Sequence, residues 1–482
     1  MTLQEVLSAL EDDQDDVLGI YIEPPESNVL SDEDSAEEDG GGFIDNLSGR
    51  QLRAGAEILV STQRGECESD GLETSDKRVN SKRKKVKRVL PTWKDEDLCV
   101  KKSLFPDANY CDIGEKSPSE IFELFFDDEL INFLILQSKD YAALQNFRNL
   151  NITAAEMKVF LGILILSGYN NVPSKRDYWD SSGDLRNEFV ANAMRRDRFL
   201  QISRFLHCAN NCQPNAEYKM WKLRPIMNML KTRFLAMFRP EEHLDFDECM
   251  IEYFGRHPCK QFLRGKPIRF GYKVWSLNTT AGYLVNFDVY QGRNPASNSE
   301  YEKMVGKCAA PLLQMLDEIP QEKKNLAYKL YFDNLFTGFE LLKELRSRGY
   351  GATGTIRENR IPKDCPIMPS KEIRNKQRGF YDKCLSEEDG ILLVKWVDNS
   401  TVRVATTCHS IQPVAPVRRF SRAEMRNVRI PRPSVISEYN RYMGGTDRMD
   451  ENVSYYRIGI RGKKWWWCIF TWLTDTHYFA RR

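Results

Sequence analysis

The chain has no apolar stretch long enough to cross a bilayer. Its longest such run, Val159-Phe160-Leu161-Gly162-Ile163-Leu164-Ile165-Leu166, falls far below the roughly 20 residues a spanning helix needs and reads instead as a buried helix. There is no P-loop, no dinucleotide glycine pattern and no Ser-His-Asp ordering, which removes ATPase, dehydrogenase and serine-hydrolase readings. The 12 cysteines follow no regular spacing and include no CxxC pair. No apolar leader follows Met1, so free thiols in a reduced intracellular compartment are expected. His207-Cys208-x-x-x-Cys212 and Cys408-His409 each offer part of a zinc set. Tetrahedral zinc needs a second ligand pair within reach, and neither has one adjacent. The acidic run at Ser31–Asp39 lacks the alternating ligands and terminal glutamate of a calcium loop.

Positive charge is scarce at one end and plentiful elsewhere. Residues 1–76 hold 3 Lys/Arg against 21 Asp/Glu, whereas the remainder holds 67 against 48, so the overall charge of +1 conceals a basic body. Such a body suits a polyanion such as DNA; a solubilising surface excess is the plainer alternative. Residues 1–90 are expected to be disordered, apart from a short amphipathic helix near Thr2–Leu10, because dense like charge and low hydropathy cannot offset chain entropy. They end in Lys77-Arg78 and Lys82-Arg83-Lys84-Lys85-Val86-Lys87-Arg88, a nuclear-import address or phosphate-contacting arm, so a nuclear location is expected.

From Ser117 the pattern becomes helical. Ser117-Pro118-x-Glu120 and Thr153-x-x-Glu156 open two helices, and Met194–His207 alternates basic and apolar positions at helical spacing. Those arginines are either phosphate contacts or part of a salt-bridged helix. Strand character begins near Leu244, with Leu244–Met250, Tyr272–Leu277 and Tyr283–Tyr290 as a meander. A helix over 299–316, a strand over 327–332, a helix over 337–347 and a strand over 351–356 follow. That order is the one an RNase H-like sheet takes, and in it the first and fourth strands are neighbours. Residues 371–432 read as a β-rich insertion, after which Pro433 opens a helix carrying Tyr439–Asp450.

Three acidic stretches stand out within this frame: Leu244-Asp245-Phe246-Asp247-Glu248, Leu330-Tyr331-Phe332-Asp333-Asn334, and Met443-Gly444-Gly445-Thr446-Asp447-Arg448-Met449-Asp450. In the first two an aspartate ends an aromatic-rich strand, held rigidly yet facing open space. In the third, two glycines permit close approach of another chain. Carboxylates gathered in this way repel one another unless hard cations neutralise them, which is the requirement for a two-magnesium phosphodiester site. By alternation Asp245 shares a face with Asp247, whereas Glu248 points the other way.

These stretches, together with Tyr331-Phe332-Asp333-Asn334-Leu335-Phe336-Thr337, Tyr439-Asn440-x-x-Met443-Gly444-Gly445-x-Asp447-x-x-Asp450, Arg264–Lys273, Met194–Phe199 and Ile460–Trp465, resemble the blocks of piggyBac-type DNA transposases and the proteins derived from them. The resemblance runs from about Ser117 to about Trp465. It implies an α/β fold: an RNase H-like mixed-sheet core in two parts, 241–370 and 433–482. An amino-terminal helical dimerisation and DNA-binding domain over 91–240 precedes it, and a β-rich insertion over 371–432 interrupts it. It further implies a three-aspartate site of Asp247, Asp333 and Asp447. Asp247 would bridge two Mg2+ ions, with Mn2+ as an alternative, Asp333 and Asp447 would flank them, and Asp450 would be a ligand or support. The activity implied is DNA cleavage and strand transfer, cut-and-paste at TTAA targets, by a homodimer. Arg264, Lys266, Arg269, Lys273, Arg461, Lys463, Lys464 and Trp465 are the expected DNA contacts, the lysines and arginines on phosphate and the indole on an unpaired base. The resemblance leans to an enzyme. A domesticated, catalytically silent DNA- or chromatin-binding protein is the alternative; separately, no CxxC pair follows Trp465, where this family usually carries a cysteine-rich, zinc-binding domain that grips transposon ends.

Overall fold

The computed structural model describes residues 17–22, 56–60, 92–100, 104–181, 183–263, 268–422 and 424–478. The expected helix near Thr2–Leu10, the acidic run, the basic run over 77–88, Arg264 and Lys266 lie outside the described residues.

A layer of helices opens the body: α1 (Pro118–Phe125), α2 (Asp128–Leu144), α3 (Ala154–Leu166), α4 (Glu188–Ala193), α5 (Arg196–Phe205) and α6 (Arg224–Met237). Both expected capping boxes form. Ser117 and Thr153 accept from the amides of Glu120 and Glu156, whose side chains reach back to the cap amides, so two otherwise orphaned donors are satisfied at each helix start. Arg198 on α5 pairs with Glu156 at 2.7 Å, which ties α5 to the start of α3 and gives this arginine a structural task; Arg195, Arg196 and Arg204 stay exposed.

The strands are β1 (Val17–Ile22), β2 (Ala56–Val60), β3 (Trp93–Lys94), β4 (His243–Glu252), β5 (Gln261–Phe262), β6 (Phe270–Thr279), β7 (Leu284–Val289), β8 (Lys329–Phe332), β9 (Gly351–Thr355), β10 (Tyr381–Ser386), β11 (Ile391–Val397), β12 (Thr401–Thr406), β13 (Ala415–Ser421) and β14 (Arg426–Arg432). Among the described residues, twelve of these form one sheet in the order β2-β1-β5-β6-β4-β8-β9-β12-β11-β10-β3, with β7 also on β6. Its centre, β7-β6-β4-β8-β9, has an antiparallel meander followed by β8 and β9 parallel to β4 and to each other. This is the RNase H-like arrangement, and β4 and β8 are neighbours in it.

Four expectations need correction. Within the segment read as disordered, Val17–Ile22 and Ala56–Val60 pair antiparallel, and Ile20 reaches Phe262 of β5; these short runs are apolar and poor in charge, so the open sheet edge recruits them despite the acidic flanks. The helix expected over 299–316 is two, α7 (Ser299–Val305) and α8 (Ala310–Asp317), interrupted at Gly306. The helix opening at Pro433 is also two, α10 (Ser434–Tyr442) and α11 (Gly445–Tyr455), interrupted at Met443-Gly444. In the segment 371–432, β10, β11 and β12 do not stand apart but continue the central sheet, since Val404 to Thr406 pair with Thr355 to Thr353.

Two apolar clusters flank the sheet. One joins α2, α3, α5 and α6 to Cys249, Ile251, Val274 and Phe287, and to Trp466, Phe470 and Leu473 of the closing stretch that includes α12 (Trp467–Tyr478). The other joins Leu244, Phe246, Leu330 and Phe332 to α8 and α9 (Phe339–Ser347). Among the described residues no helix is long and apolar enough to cross a membrane.

Candidate active site

The strand-borne part of the site follows from register. β4 and β8 run parallel with Leu244 opposite Leu330 and Phe246 opposite Phe332, so the next residue on each strand is Asp247 and Asp333, on strands about 4.8 Å apart. Leu244, Phe246, Leu330 and Phe332 are all buried. A slip of β8 by one residue would turn Leu330 and Phe332 away from Leu244 and Phe246, so their shared burial locks the aspartates side by side. Both are partly exposed. Asp247 accepts from the Glu248 amide at 2.8 Å. Asp333 accepts from the Leu335 amide at 2.7 Å, while its carbonyl accepts from Thr337 Oγ1 at 2.7 Å. The expectation that an aspartate ends each strand holds for β8, which stops at Phe332, but needs correction for β4, which stays paired with β6 as far as Glu252, so that Asp247 lies within the strand.

Behind them, Tyr331 Oη lies 3.0 Å from His243 Nδ1 and 2.8 Å from His409 Nε2. Burial holds these imidazoles well below their usual range, at about 4 and about 3, so they act as neutral partners that pin the start of β4 to β8 and to the chain leaving β12.

The third acidic stretch arrives on α11 and docks through a polar network. Gly444 has φ +122°, and a Cβ on Gly445 would stand 2.4 Å from the Thr279 carbonyl oxygen and 3.0 Å from Asp245 Cβ. Only glycine lets the helix start press this closely on β4 and β6. Asp245, fully buried, accepts from the Thr446 amide at 2.6 Å, one of the amides a helix start leaves unpaired. Thr446 Oγ1 in turn meets Asn278 Nδ2 at 2.8 Å and Ser276 Oγ at 3.3 Å, and Ser276 Oγ donates to the Asp247 carbonyl at 3.3 Å. Burial pushes the Asp245 carboxyl up to about 6; the amides of Thr446 and Gly444 oppose this, while the Asp447 charge adds to it. The network leaves Asp447 exposed on the first turn of α11 and Asp450 half-buried one turn on.

Tyr439 on α10 lies over the same face. Burial raises its phenol above the ordinary value, and the charges of Asp333, Asp247 and Asp245 all act in the same direction. Carboxylates suit a hard divalent ion, and the backbone brings two of them into adjacent positions with a third on the docked helix. Among the described residues, however, no three His, Cys, Asp or Glu side chains are grouped closely enough to hold one ion. One oxygen of Asp247 and one of Asp333 instead face main-chain amides. The donor chemistry of Asp247 and Asp333 and their adjacent backbone placement fit such an ion.

The expected DNA contacts divide sharply. Arg269, Arg461 and Lys463 are exposed. Lys273 is a correction: it is 2% exposed and its ammonium sits 3.8 Å from the Trp275 ring centroid, so β6 spends it on a buried cation–π contact rather than on phosphate. Lys464 is another. Its ammonium donates to the carbonyls of Arg204 and Leu206 at 2.9 and 2.8 Å, closing the carboxyl end of α5, where unpaired carbonyls and the dipole favour a cation. Trp465 is half-buried and stacks on His257 at 4.1 Å, so its ring already has a protein partner. His207 is buried against Tyr141 and Trp466, with no second ligand pair for zinc among the described residues.

Ser276, Asn278 and Thr446, which with Asp245 dock α11, were not singled out in the sequence. The alternation placing Asp245 beside Asp247 was the available signal; its burial under α11 was not encoded locally.

Comparison with known proteins gives a consistent picture. A family profile described as Transposase IS4 matches residues 117–478. The human PiggyBac transposable element-derived protein 3 is 38% identical over 97% of this chain and 81% of its own length. The human PiggyBac transposable element-derived protein 2 is 34% identical over 96% and 78%. Among solved structures, a piggyBac transposase synaptic complex with hairpin DNA superposes with a TM-score of 0.62, at 20% identity over 76% of this chain and 74% of that one. That likeness is one of fold.

Proposed function

Since the chain belongs to the piggyBac-type transposase family, we propose that it acts on DNA and that Asp247, Asp333 and Asp447 carry metal-dependent strand cleavage and transfer, with Asp450 in support. The observation that carries this reading is the β4–β8 register, which sets Asp247 beside Asp333, joined to the docking of α11 by Asp245. Two magnesium ions, or manganese, would lower the pKa of an attacking oxygen and offset charge on a departing one. The chain's own part is positional. Asp247 would take the bridging place, Asp333 on the neighbouring strand would flank it, and Asp447 would approach from the helix. The family relative solved with hairpin DNA supports DNA ends as substrate; TTAA targets and a homodimer belong to the same proposal. With purified protein, magnesium and a labelled hairpin substrate, the wild type should nick and Asp247→Asn should not. Equal nicking by both removes the assignment.

A second reading has its own support. Both human relatives carry names of transposable-element descent. On that reading the protein binds DNA or chromatin without turnover, and the wild type in the same assay binds but never nicks. We further propose a nuclear location through the basic run over 77–88. A fluorescent fusion with those lysines and arginines changed to alanine should become cytoplasmic; unchanged nuclear signal would refute it.

A further inference from the structure

β13 and β14 form a separate two-stranded ribbon, paired from Ala415 opposite Arg432 to Ser421 opposite Arg426. Alternation gives it two unlike faces. Val417, Val428 and Ile430 pack on Leu392, Trp396 and Val435, and beside them Arg419 pairs with Asp398 at 2.9 Å. The opposite face carries Pro416, Arg418, Phe420, Asn427, Arg429 and Pro431, every one of them exposed. Arg418 and Arg429 are direct partners across the strands, with Cβ atoms about 4.5–5.5 Å apart. Like charges in that relation repel. Among the described residues neither guanidinium has an acidic partner, although Arg419 and Arg426 on the other face do. Phe420, 51% exposed, lies next to them, and Arg422 is exposed at the turn.

We propose that this face of the ribbon is a nucleic-acid contact, with Arg418 and Arg429 on backbone phosphates and Phe420 offering a ring to an unpaired base. A guanidinium pair without internal counter-charge is relieved by a line of anions, and its planar fork matches phosphate. A two-stranded ribbon is also narrow enough for the major groove of a duplex. The phosphate backbone supplies anions at about 3.4 Å of rise along each strand, which a short acidic peptide does not. The inference rests on the reading of the protein as one that acts on DNA, and it adds a contact outside the carboxylate site and outside every basic stretch singled out in the sequence.

The test uses the full chain and a fluorescent duplex with a single-stranded end. The double variant Arg418→Ala/Arg429→Ala should bind about tenfold more weakly near 0.15 M salt, and its salt slope should shrink by about 2, one for each lost phosphate contact. Its thermal midpoint should be unchanged or higher, because the variant removes a repulsion. The Lys343→Ala control, which removes one charge elsewhere, should keep the wild-type slope, and Arg418→Lys/Arg429→Lys should recover most of it. Wild-type affinity and slope in the double variant overturn the inference, as does loss of binding to an acidic peptide of residues 31–39 while DNA binding is retained. A wild type that binds no DNA at all instead sinks the broader reading, so the two failures are distinct.

Discussion

In the strand-borne half of the candidate site, Asp247 and Asp333 take their places from main-chain pairing and four buried apolar neighbours. In the returning segment, residues 434–478, attachment is made one side chain at a time. Asp245 holds the start of α11, Ser167 Oγ accepts from the amides of Gly459 and Ile460 at 3.1 and 3.3 Å, Lys464 closes α5, and Asp475 accepts from the Ile458 amide at 3.3 Å. A register distributes its stabilisation over many groups, so a single substitution removes chemistry without moving the frame. A segment held by individual contacts behaves oppositely, and single substitutions there should move it.

The largest expected effect separates chemistry from frame. Asp333→Asn and Asp247→Asn should each lower metal-dependent nicking by at least about 10³-fold, since each removes a charge from the proposed ion-binding set, with thermal midpoints near wild type. A large fall in midpoint would show that these carboxylates belong to the frame. Next comes Gly445→Ala, whose Cβ would collide with the Thr279 carbonyl oxygen at 2.4 Å. A displacement of about 1 Å at Asp447 is expected to cost nicking about 10²-fold, and strand-borne Asp247 should keep its chemical environment by NMR. If Gly445→Ala nicks like the wild type, α11 tolerates displacement and the comparison fails.

Smaller effects test the side-chain attachments. Lys464→Met leaves two helix-end carbonyls without their donor and should lower unfolding free energy by about 2 kcal/mol in urea titration, with the salt slope of DNA binding unaltered; a reduced slope would restore Lys464 to the phosphate contacts. Burial pushes the Asp475 carboxyl up to about 8, against about 3.9 in the unfolded chain. Its folded pKa is raised, so its contribution is fully present below about pH 4 and is lost as pH rises through about 8. Asp475→Asn should therefore flatten the decline in unfolding free energy between those limits, read as urea midpoints at pH 5 and pH 8. An unchanged slope would show that the carboxyl is solvated.

Much of this was legible in sequence, and the reason is locality. The alternation of Leu244, Phe246, Leu330 and Phe332 carries the strands and their register, and Ser117 with Glu120 or Thr153 with Glu156 carries the helix starts. What escaped was anything decided by tertiary burial. Lys273 and Lys464 have the same charge as Arg461 and Lys463, and no spacing distinguishes a lysine under an indole from one facing solvent. Asp245 and Asp247 differ only in that α11 covers one of them. The arginines of β13 and β14 sit in a strand pattern unlike a basic patch, because Val417, Val428 and Ile430 alternate with them and pack inward.

The docking of α11 also orders events during synthesis. Asp447 emerges 200 residues after Asp247, a delay of about 10–40 s at ordinary elongation rates, so a nascent chain carries its two strand-borne carboxylates long before the third can join them. On the proposed three-carboxylate site, the ribosome-bound chain would therefore stay unable to break a strand throughout that interval, with no separate inhibitor needed.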